Sequence, residues 1–374
     1  MTSKIFTHPV KALAALLISC TMPLAQADIT VLQLAPLTGP YGGVGWHMQV
    51  GASVAVAELN ARGGINSQKL RLVTAGQEPG DIGKQMRGLI EKHSPVALLG
   101  VLGEDSVQQL LDSRVLEDTG LPLVGPRVGA SSLASGSKQL FLTRPSFSFE
   151  VARVFKHHAT SGIQNIGLVY EDNGFGREAF TAASSEAKGL GVKVSGVSYL
   201  AGSAMVDQAV SKMISAAPQA IVLASQTAGA AAFIQRYRAQ GGTAQITTLS
   251  YVEGAHLALI IGKKAPHGVA VMEAAPNTTN ESVPLVREFR SAYAKFGQND
   301  VTPTQAMMES YVATRSLVEG LKRAGGAKNK LPAALASMER FDLGGLNINF
   351  GGTRRGSLEF AEMAVIDRQG RVIR

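Results

Sequence analysis

The sequence is short of the residues that most enzyme chemistry needs. Its 374 residues contain one cysteine, Cys20, and one tryptophan, Trp46. If the N-terminal segment holding Cys20 is removed, no thiol is left. That excludes cysteine nucleophiles, disulfides and thiolate metal sites. There is no nucleophile elbow, no His-Glu-x-x-His and no phosphate-loop Gly-Lys-Ser or Gly-Lys-Thr. The seven histidines are dispersed apart from His157-His158, which as helix neighbours point to different faces and cannot jointly chelate a metal. Beyond the N-terminus no run reaches the roughly 18 uninterrupted apolar residues of a membrane span. Charged residues are only 17% of the chain and its basic excess is scattered, the longest clusters being pairs such as Lys263-Lys264 and Arg354-Arg355. A scattered excess is a solvated surface, so no nucleic-acid partner is expected.

The first thirty residues obey another logic. Lys4 and Lys11 precede the apolar Ala12 to Ile18, and Ala25-Gln26-Ala27 stands just before Asp28. Basic, apolar, then small residues are the order of a secretory signal, with cleavage expected after Ala27. Leu17-Ile18-Ser19-Cys20 has the form of a lipobox, so lipid anchoring through Cys20 is the rival route. The formal charge of +8 loses both leader lysines on removal. A periplasmic location is expected.

From Ile29 onward, strand-type and helix-type segments alternate. Ile29–Ala35 reads as a strand, and Val44, Met48, Gly51, Ala55 and Leu59 then recur at helix spacing until Gly63-Gly64. Strands at Leu70–Ala75, Val96–Gly100 and Leu121–Gly125 continue the series, with helices between them. After a short extended link at Phe141–Arg144 the rhythm restarts, with strands at Ile166–Tyr170, Val192–Tyr199, Ala220–Ala224 and Ile246–Leu249. Strands spaced by helices mean parallel sheets, and two such series mean two similar lobes. Helices near Leu285–Phe296 and Pro303–Ala324 break the alternation and are expected to return to the first lobe. Ile348–Phe350 and Leu358–Ile366 read as antiparallel strands flanking Gly351-Gly352.

Two loops invite chemistry. Gly42-Gly43-Val44-Gly45 comes after the first strand but fails the dinucleotide spacing, since Trp46, His47 and Met48 come next. Glu104-Asp105 are adjacent carboxylates in a strand-to-helix turn. An acid/base pair needs opposed positions around a substrate, whereas acids at a helix start are stabilised by its dipole. Loops at strand C-termini nonetheless line the ligand crevice of open α/β sheets.

Leu37-Thr38-Gly39-Pro40, then Gly51, Ala55 and Asn60, then Gly63-Gly64-Ile65-Asn66 resemble the opening of the leucine/isoleucine/valine-binding branch of type I periplasmic binding proteins. Leu99-Gly100, Gly120-Leu121-Pro122, Val169-Tyr170-Glu171-Asp172 with Phe175-Gly176, and Glu309-Ser310-Tyr311 with Leu317-Val318 continue it in order across residues 28–374. The resemblance implies an α/β protein of two Rossmann-like lobes with parallel sheets and a three-stranded hinge. It also implies delivery of a captured solute to an ABC permease. The division expected is 1–27 signal peptide, 28–144 first lobe, 145–274 second lobe, 275–345 return to the first lobe, and 346–374 hinge and last strands of the second. A sensor module of the same fold, signalling to a membrane partner, is the alternative role. A monomer that is not an enzyme and needs no cofactor is expected.

Carried over by position, the resemblance puts Glu104, Asp105 and Ser106 after the third strand at the ligand, with Arg127, Val128 and Gly129 after the fourth. Val44 aligns with a ligand-covering tyrosine of the family, Tyr41 and Trp46 being nearby substitutes. Phe175, Gln226, Thr227, Tyr251 and Glu253 complete the set from the second lobe. The expected ligand is an amino acid or organic acid, its carboxylate held by the planar fork of Arg127 and its body flanked by Phe175 or Trp46.

Overall fold

Apolar runs and amphipathic stretches alternate along the chain, and so do strands and helices in the computed structural model, which describes Met1 and residues 28–201, 203–262, 268–351, 358–367, 369 and 371–373. The signal-type segment with Cys20 and its cleavage point, Lys263-Lys264, Arg354-Arg355 and Gly352 lie outside the described residues.

Strands β1 (Ile29–Ala35), β2 (Leu70–Gly76), β3 (Ala97–Gly100), β4 (Leu123–Val124) and β5 (Leu140–Phe141) form one sheet in the order β2-β1-β3-β4-β5, with every pairing parallel. β1 is buried along its whole length, as a central strand covered on both faces must be. Its one amide, Gln33, donates to the Met48 carbonyl at 3.1 Å, which offsets the cost of burying it. Helices α1 (Gly42–Ala61) and α2 (Ile82–His93) fill the first two gaps between these strands, and α3 (Glu104–Asp112) with α4 (Val115–Thr119) the gap between β3 and β4. Asp81 caps α2 by accepting the Lys84 N–H at 2.9 Å. The stretch Phe141–Arg144, read from sequence as a link, begins inside β5.

The second series starts with α5 (Phe147–Thr160), whose cap Ser146 accepts the Phe149 N–H at 3.1 Å. Strands β6 (Asn165–Glu171), β7 (Lys193–Tyr199), β8 (Ala220–Ala224), β9 (Gln245–Thr248) and β10 (Val269–Glu273) pair in parallel in the order β7-β6-β8-β9-β10. Helices α6 (Gly174–Leu190), α7 (Asp207–Ala216), α8 (Thr227–Ala239) and α9 (Gly254–Ile261) separate them.

The tail then leaves this sheet. Helices α10 (Pro284–Phe296), α11 (Gln305–Arg323) and α12 (Leu331–Ala336) share one apolar core with α1 and β1. α1 and α11 approach so closely that a Cβ on Gly51 would lie 2.1 Å from the Met307 carbonyl oxygen. Two short strands, β11 (Phe341–Asp342) and β12 (Asn347–Ile348), pair with each other. β13 (Glu362–Ile366) runs antiparallel to β10, and β14 (Val372–Ile373) antiparallel to β13. This corrects the expected pairing of the strands around Gly351: Ile348 and Phe350 are buried with the first core, Phe350 lying edge-on to Phe141 at 5.3 Å, while Glu362–Ile366 joins the other sheet.

Each sheet has one point where the chain departs to both sides. β1 lies between β2 and β3, and β6 between β7 and β8. A crevice opens outside the carboxyl ends of such strands, and ligands of open α/β sheets bind there.

Candidate functional site

The two crevices face each other across a cleft, and the loops at their carboxyl ends close around two cavities. The first holds about 420 Å³. The first sheet supplies Tyr41 after β1, Gln77 and Glu78 after β2, and Glu104, Asp105 and Ser106 after β3; the second supplies Asn173, Gly174 and Phe175 after β6, Gln226 after β8 and Tyr251 after β9. The second cavity, about 570 Å³, shares Tyr41 and Gln226 with it and adds Val44, His47, Glu171, Thr227, Glu253, His256, Leu259 and Thr304 among others.

Local structure holds these groups in place. Asn173 caps α6 by accepting the Gly176 N–H at 2.9 Å and donates to Glu171 at 3.0 Å, so its side chain fixes the turn that presents Phe175. A Cβ on Gly176 would stand 1.9 Å from the Glu171 carbonyl oxygen, so only glycine fits this turn. Gln77 donates to the Leu102 carbonyl at 2.8 Å and to Ser106 Oγ at 2.9 Å, tying the loops after β2 and β3 together. Phe175 packs on Phe147 and Tyr251, with ring centroids 4.4 and 4.6 Å apart.

A buried polar ladder joins the two halves behind the cavities. Arg127 reaches from the first lobe to Glu253 at 3.2 Å and to the Ser250 carbonyl at 3.3 Å, while its Nε donates to Glu309 of α11 at 3.2 Å. Arg144 pairs with the same Glu309 and donates to Ser250 Oγ at 2.6 Å. Ser250 in turn donates its N–H to Glu150 at 2.9 Å. The Tyr251 hydroxyl lies 2.7 Å from Glu104 and 2.8 Å from the Arg127 carbonyl oxygen. Burial raises the carboxyl pKa values of Glu104, Glu150 and Glu253, against the lowering pull of nearby hydrogen bonds and arginines. Burial, with the charges of Arg127 and His256, pushes His47 down to about 4, so its imidazole is neutral at ordinary pH. Tyr41 is held as a phenol by burial and by the Glu171 charge.

Of the residues expected at a ligand, Tyr41, Glu104, Asp105, Ser106, Phe175, Gln226 and Tyr251 line the first cavity, and Thr227 and Glu253 line the second. Arg127, Val128, Gly129 and Trp46 line neither. Arg127 is 2% exposed, its fork turned to Glu253 and Glu309, so the expected grip on a ligand carboxylate gives way to internal ion pairs. Val128 is core, Gly129 donates its N–H to Glu104 at 3.0 Å, and half-buried Trp46 packs against the first core. Gln77, Glu78, Asn173, His47 and His256 were not anticipated as lining residues. Gln77, Glu78 and Asn173 come just after strand ends, a signal the sequence carried; His47 and His256 lie within helices and carried none.

Comparison with known proteins bears on this architecture. The profile described as "Periplasmic binding protein" matches residues 28–363. The chain belongs to the periplasmic binding protein family. A substrate-binding periplasmic protein from Ralstonia solanacearum is 32% identical with a TM-score of 0.87, covering 92% of this chain and 99% of that one. Leu/Ile/Val-binding protein homolog 1 of Brucella melitensis is 25% identical over 80% of each chain. Leu/Ile/Val-binding protein BraC3 of Rhizobium johnstonii is 36% identical, over 30% of each chain. A branched-chain amino acid transporter substrate binding protein from Streptococcus pneumoniae, solved with isoleucine, shares the fold at a TM-score of 0.81 and 18% identity, covering 92% of this chain and 97% of that one. Among the described residues no helix is long and apolar enough to cross a membrane. The α/β fold with two mainly parallel sheets is that of type I members of the family.

Proposed function

We propose that this chain is the extracytoplasmic solute-binding component of an ABC importer, with residues 28–144 and 275–345 forming one lobe and 145–274 most of the other. One observation carries the reading: the cavities lie where the switch points of both sheets face each other, so a solute seated there touches both lobes at once. A ligand that contacts both lobes in the closed form and one lobe in the open form shifts the equilibrium toward closure by that difference in affinity. The closed form is then what a membrane permease receives. The signal-type N-terminus supports export, and the lack of a nucleophile or nucleotide motif supports a binder rather than an enzyme.

Of the two ligand classes expected from sequence, the lining favours an amino acid over an organic acid. An ammonium group finds carboxylates in the first cavity, whereas a lone carboxylate finds no lysine or arginine among the described lining residues. A thermal-shift screen of the mature protein against amino acids and organic acids finds binders, because a ligand specific to the folded state raises the melting temperature. Small-angle scattering then measures shape with and without the best of them. Compaction at saturation is the expected result, and an unchanged radius of gyration with a bound ligand removes capture by closure.

A further inference from the structure

Resting on that reading, we propose that closing the lobes seats a proton on Glu104, held against Tyr251, so that capture of a solute takes up a proton from the medium. The first observation is a count of hydrogens. The Tyr251 hydroxyl stands as donor 2.7 Å from a Glu104 carboxyl oxygen and 2.8 Å from the Arg127 carbonyl oxygen. A phenol has one hydrogen to give, and a carbonyl can only accept. With that hydrogen on the carbonyl, the contact with Glu104 is a hydrogen bond only if Glu104 brings a hydrogen of its own. The second observation is charge. Arg127 and Arg144 pair with Glu253 and Glu309, and Glu104, 8% exposed, takes part in none of these pairs. An ionised carboxyl buried without a counter-charge is costly, and a proton removes that cost. The third is where the cover comes from. Glu104, Gly129, Arg127 and Arg144 all belong to the first lobe. The Gly129 N–H at 3.0 Å, the dipole of α3 and the charge of Arg144, which favour the ionised form, therefore act whether the lobes are open or closed. Tyr251 and Gly174 arrive with the second lobe, and a Cβ on Gly174 would lie 3.4 Å from the Glu104 Cβ. Closure thus replaces solvent over this carboxyl with a phenol oxygen and backbone.

Other groups titrate nearby. Asp105 on α3 and Glu78 line the same cavity, and their negative charges favour the proton. Glu178 of α6 crosses to accept the Ser131 N–H at 2.8 Å; burial raises its pKa, so it adds uptake of the same sign. Behind Tyr251, Glu150 is held by Ser250 of its own lobe, and Glu253 and Glu309 by Arg127. His47, held at about 4, acts the other way and gives up a proton on closure. The proton on Glu104 is therefore the part of the pH dependence that Glu104→Gln abolishes. Its sign is fixed by linkage. A carboxyl near 4.5 in the open form and above it in the closed form makes closure tightest at or below 4.5. Closure then weakens by about tenfold per pH unit up to the closed-form value and is constant beyond it.

The test follows the Glu104 carboxyl by carbon-13 NMR in the mature protein, its resonance being the one that Glu104→Gln removes. The probe is whichever of the twenty protein amino acids raises the melting temperature most. With the probe at saturation the Glu104 midpoint is expected to lie above its probe-free value. Between the two midpoints, calorimetry is expected to show wild-type affinity falling by up to about tenfold per pH unit, a fall that Glu104→Gln removes. Tyr251→Phe tests the direction of the hydrogen bond. Without its acceptor the proton is held less well, so the probe-saturated midpoint should drop; a rise shows the phenol donating to a carboxylate and overturns the assignment. A midpoint that the probe leaves unmoved overturns it too, as does a pH dependence that Glu104→Gln keeps in full. Scattering on the same samples reads closure separately. Compaction with an unmoved midpoint sinks the proton and leaves capture standing, whereas a bound probe without compaction sinks capture. Should none of the twenty bind, titration of the ligand-free protein decides: a midpoint at 4.5, or one that Tyr251→Phe raises, overturns the assignment.

Discussion

Arg127 shows how far a single residue can depart from what its neighbours in sequence suggest. After a strand end, an arginine reads as a ligand contact. Its partners Glu253 and Glu309 are remote in sequence, and no local pattern announces them. A buried pair is destabilising to break, because the partner left behind is a charge out of water. Arg127→Ala is therefore expected to lower stability by about 3 kcal/mol, read from urea unfolding, while Arg127→Ala combined with Glu253→Gln loses less. Equal loss in single and double variants would deny the pairing. Glu104 offers a test by pH. Its folded pKa is raised above 4.5 by burial, so the folded state binds the proton more tightly than the unfolded chain. Its ionisation costs stability as pH rises from the unfolded value toward the folded one. Glu104→Gln keeps an acceptor for the Gly129 N–H and removes that cost. Its stability relative to wild type should therefore climb from pH 4 upward and level off; a difference independent of pH would show that the carboxyl is not shifted. Phe175 was legible from its place in a strand-to-helix loop, the position the crevice rule singles out, whereas Glu104, Ser106 and Gln226 came to the cavity only by way of the family resemblance.

At the scale of elements, the parallel series was readable because strand and helix periods differ, and both series run for several repeats. What was not readable were the pieces set by tertiary packing. β5 and β11 are two residues long, too short to show a period, and α9 carries a single polar side chain, His256, too little to mark a face. β12 pairs with β11 because their flanks bury into the first core, a choice invisible to alternation alone. Close approach also sets the start of α6. Gly176→Ala puts a methyl group against the Glu171 carbonyl and is expected to cost about 1–3 kcal/mol. Since that turn presents Phe175, ligand affinity should fall with it. Gly189, in the same helix, has open space where a Cβ would go. Gly189→Ala should be neutral or stabilise by up to about 1 kcal/mol, with affinity unchanged. Similar midpoints for the two variants in urea would show that the turn has room to relax.

For the molecule as a whole, the proposed closure would make the balance between open and closed forms depend on contacts that exist only when the lobes meet. Tyr251 supplies one of them: its hydroxyl leaves the second lobe and meets Glu104 and the Arg127 carbonyl in the first. A net hydrogen bond is worth about 1 kcal/mol, so Tyr251→Phe should shift the open–closed ratio roughly fivefold toward open. The ring stays, with its packing on Phe147 and Phe175, so each lobe keeps its core. Where the closed form is the one that holds ligand, apparent affinity falls by the fraction of closed protein lost. The variant is thus expected to have a larger radius of gyration than wild type without ligand, to bind the best amino acid from the thermal-shift screen up to about fivefold more weakly, and to reach the wild-type radius at saturation. Weaker binding with an unchanged ligand-free radius would place Tyr251 in the grip on the ligand alone. Unchanged binding with an unchanged radius would take this hydroxyl out of the closure altogether.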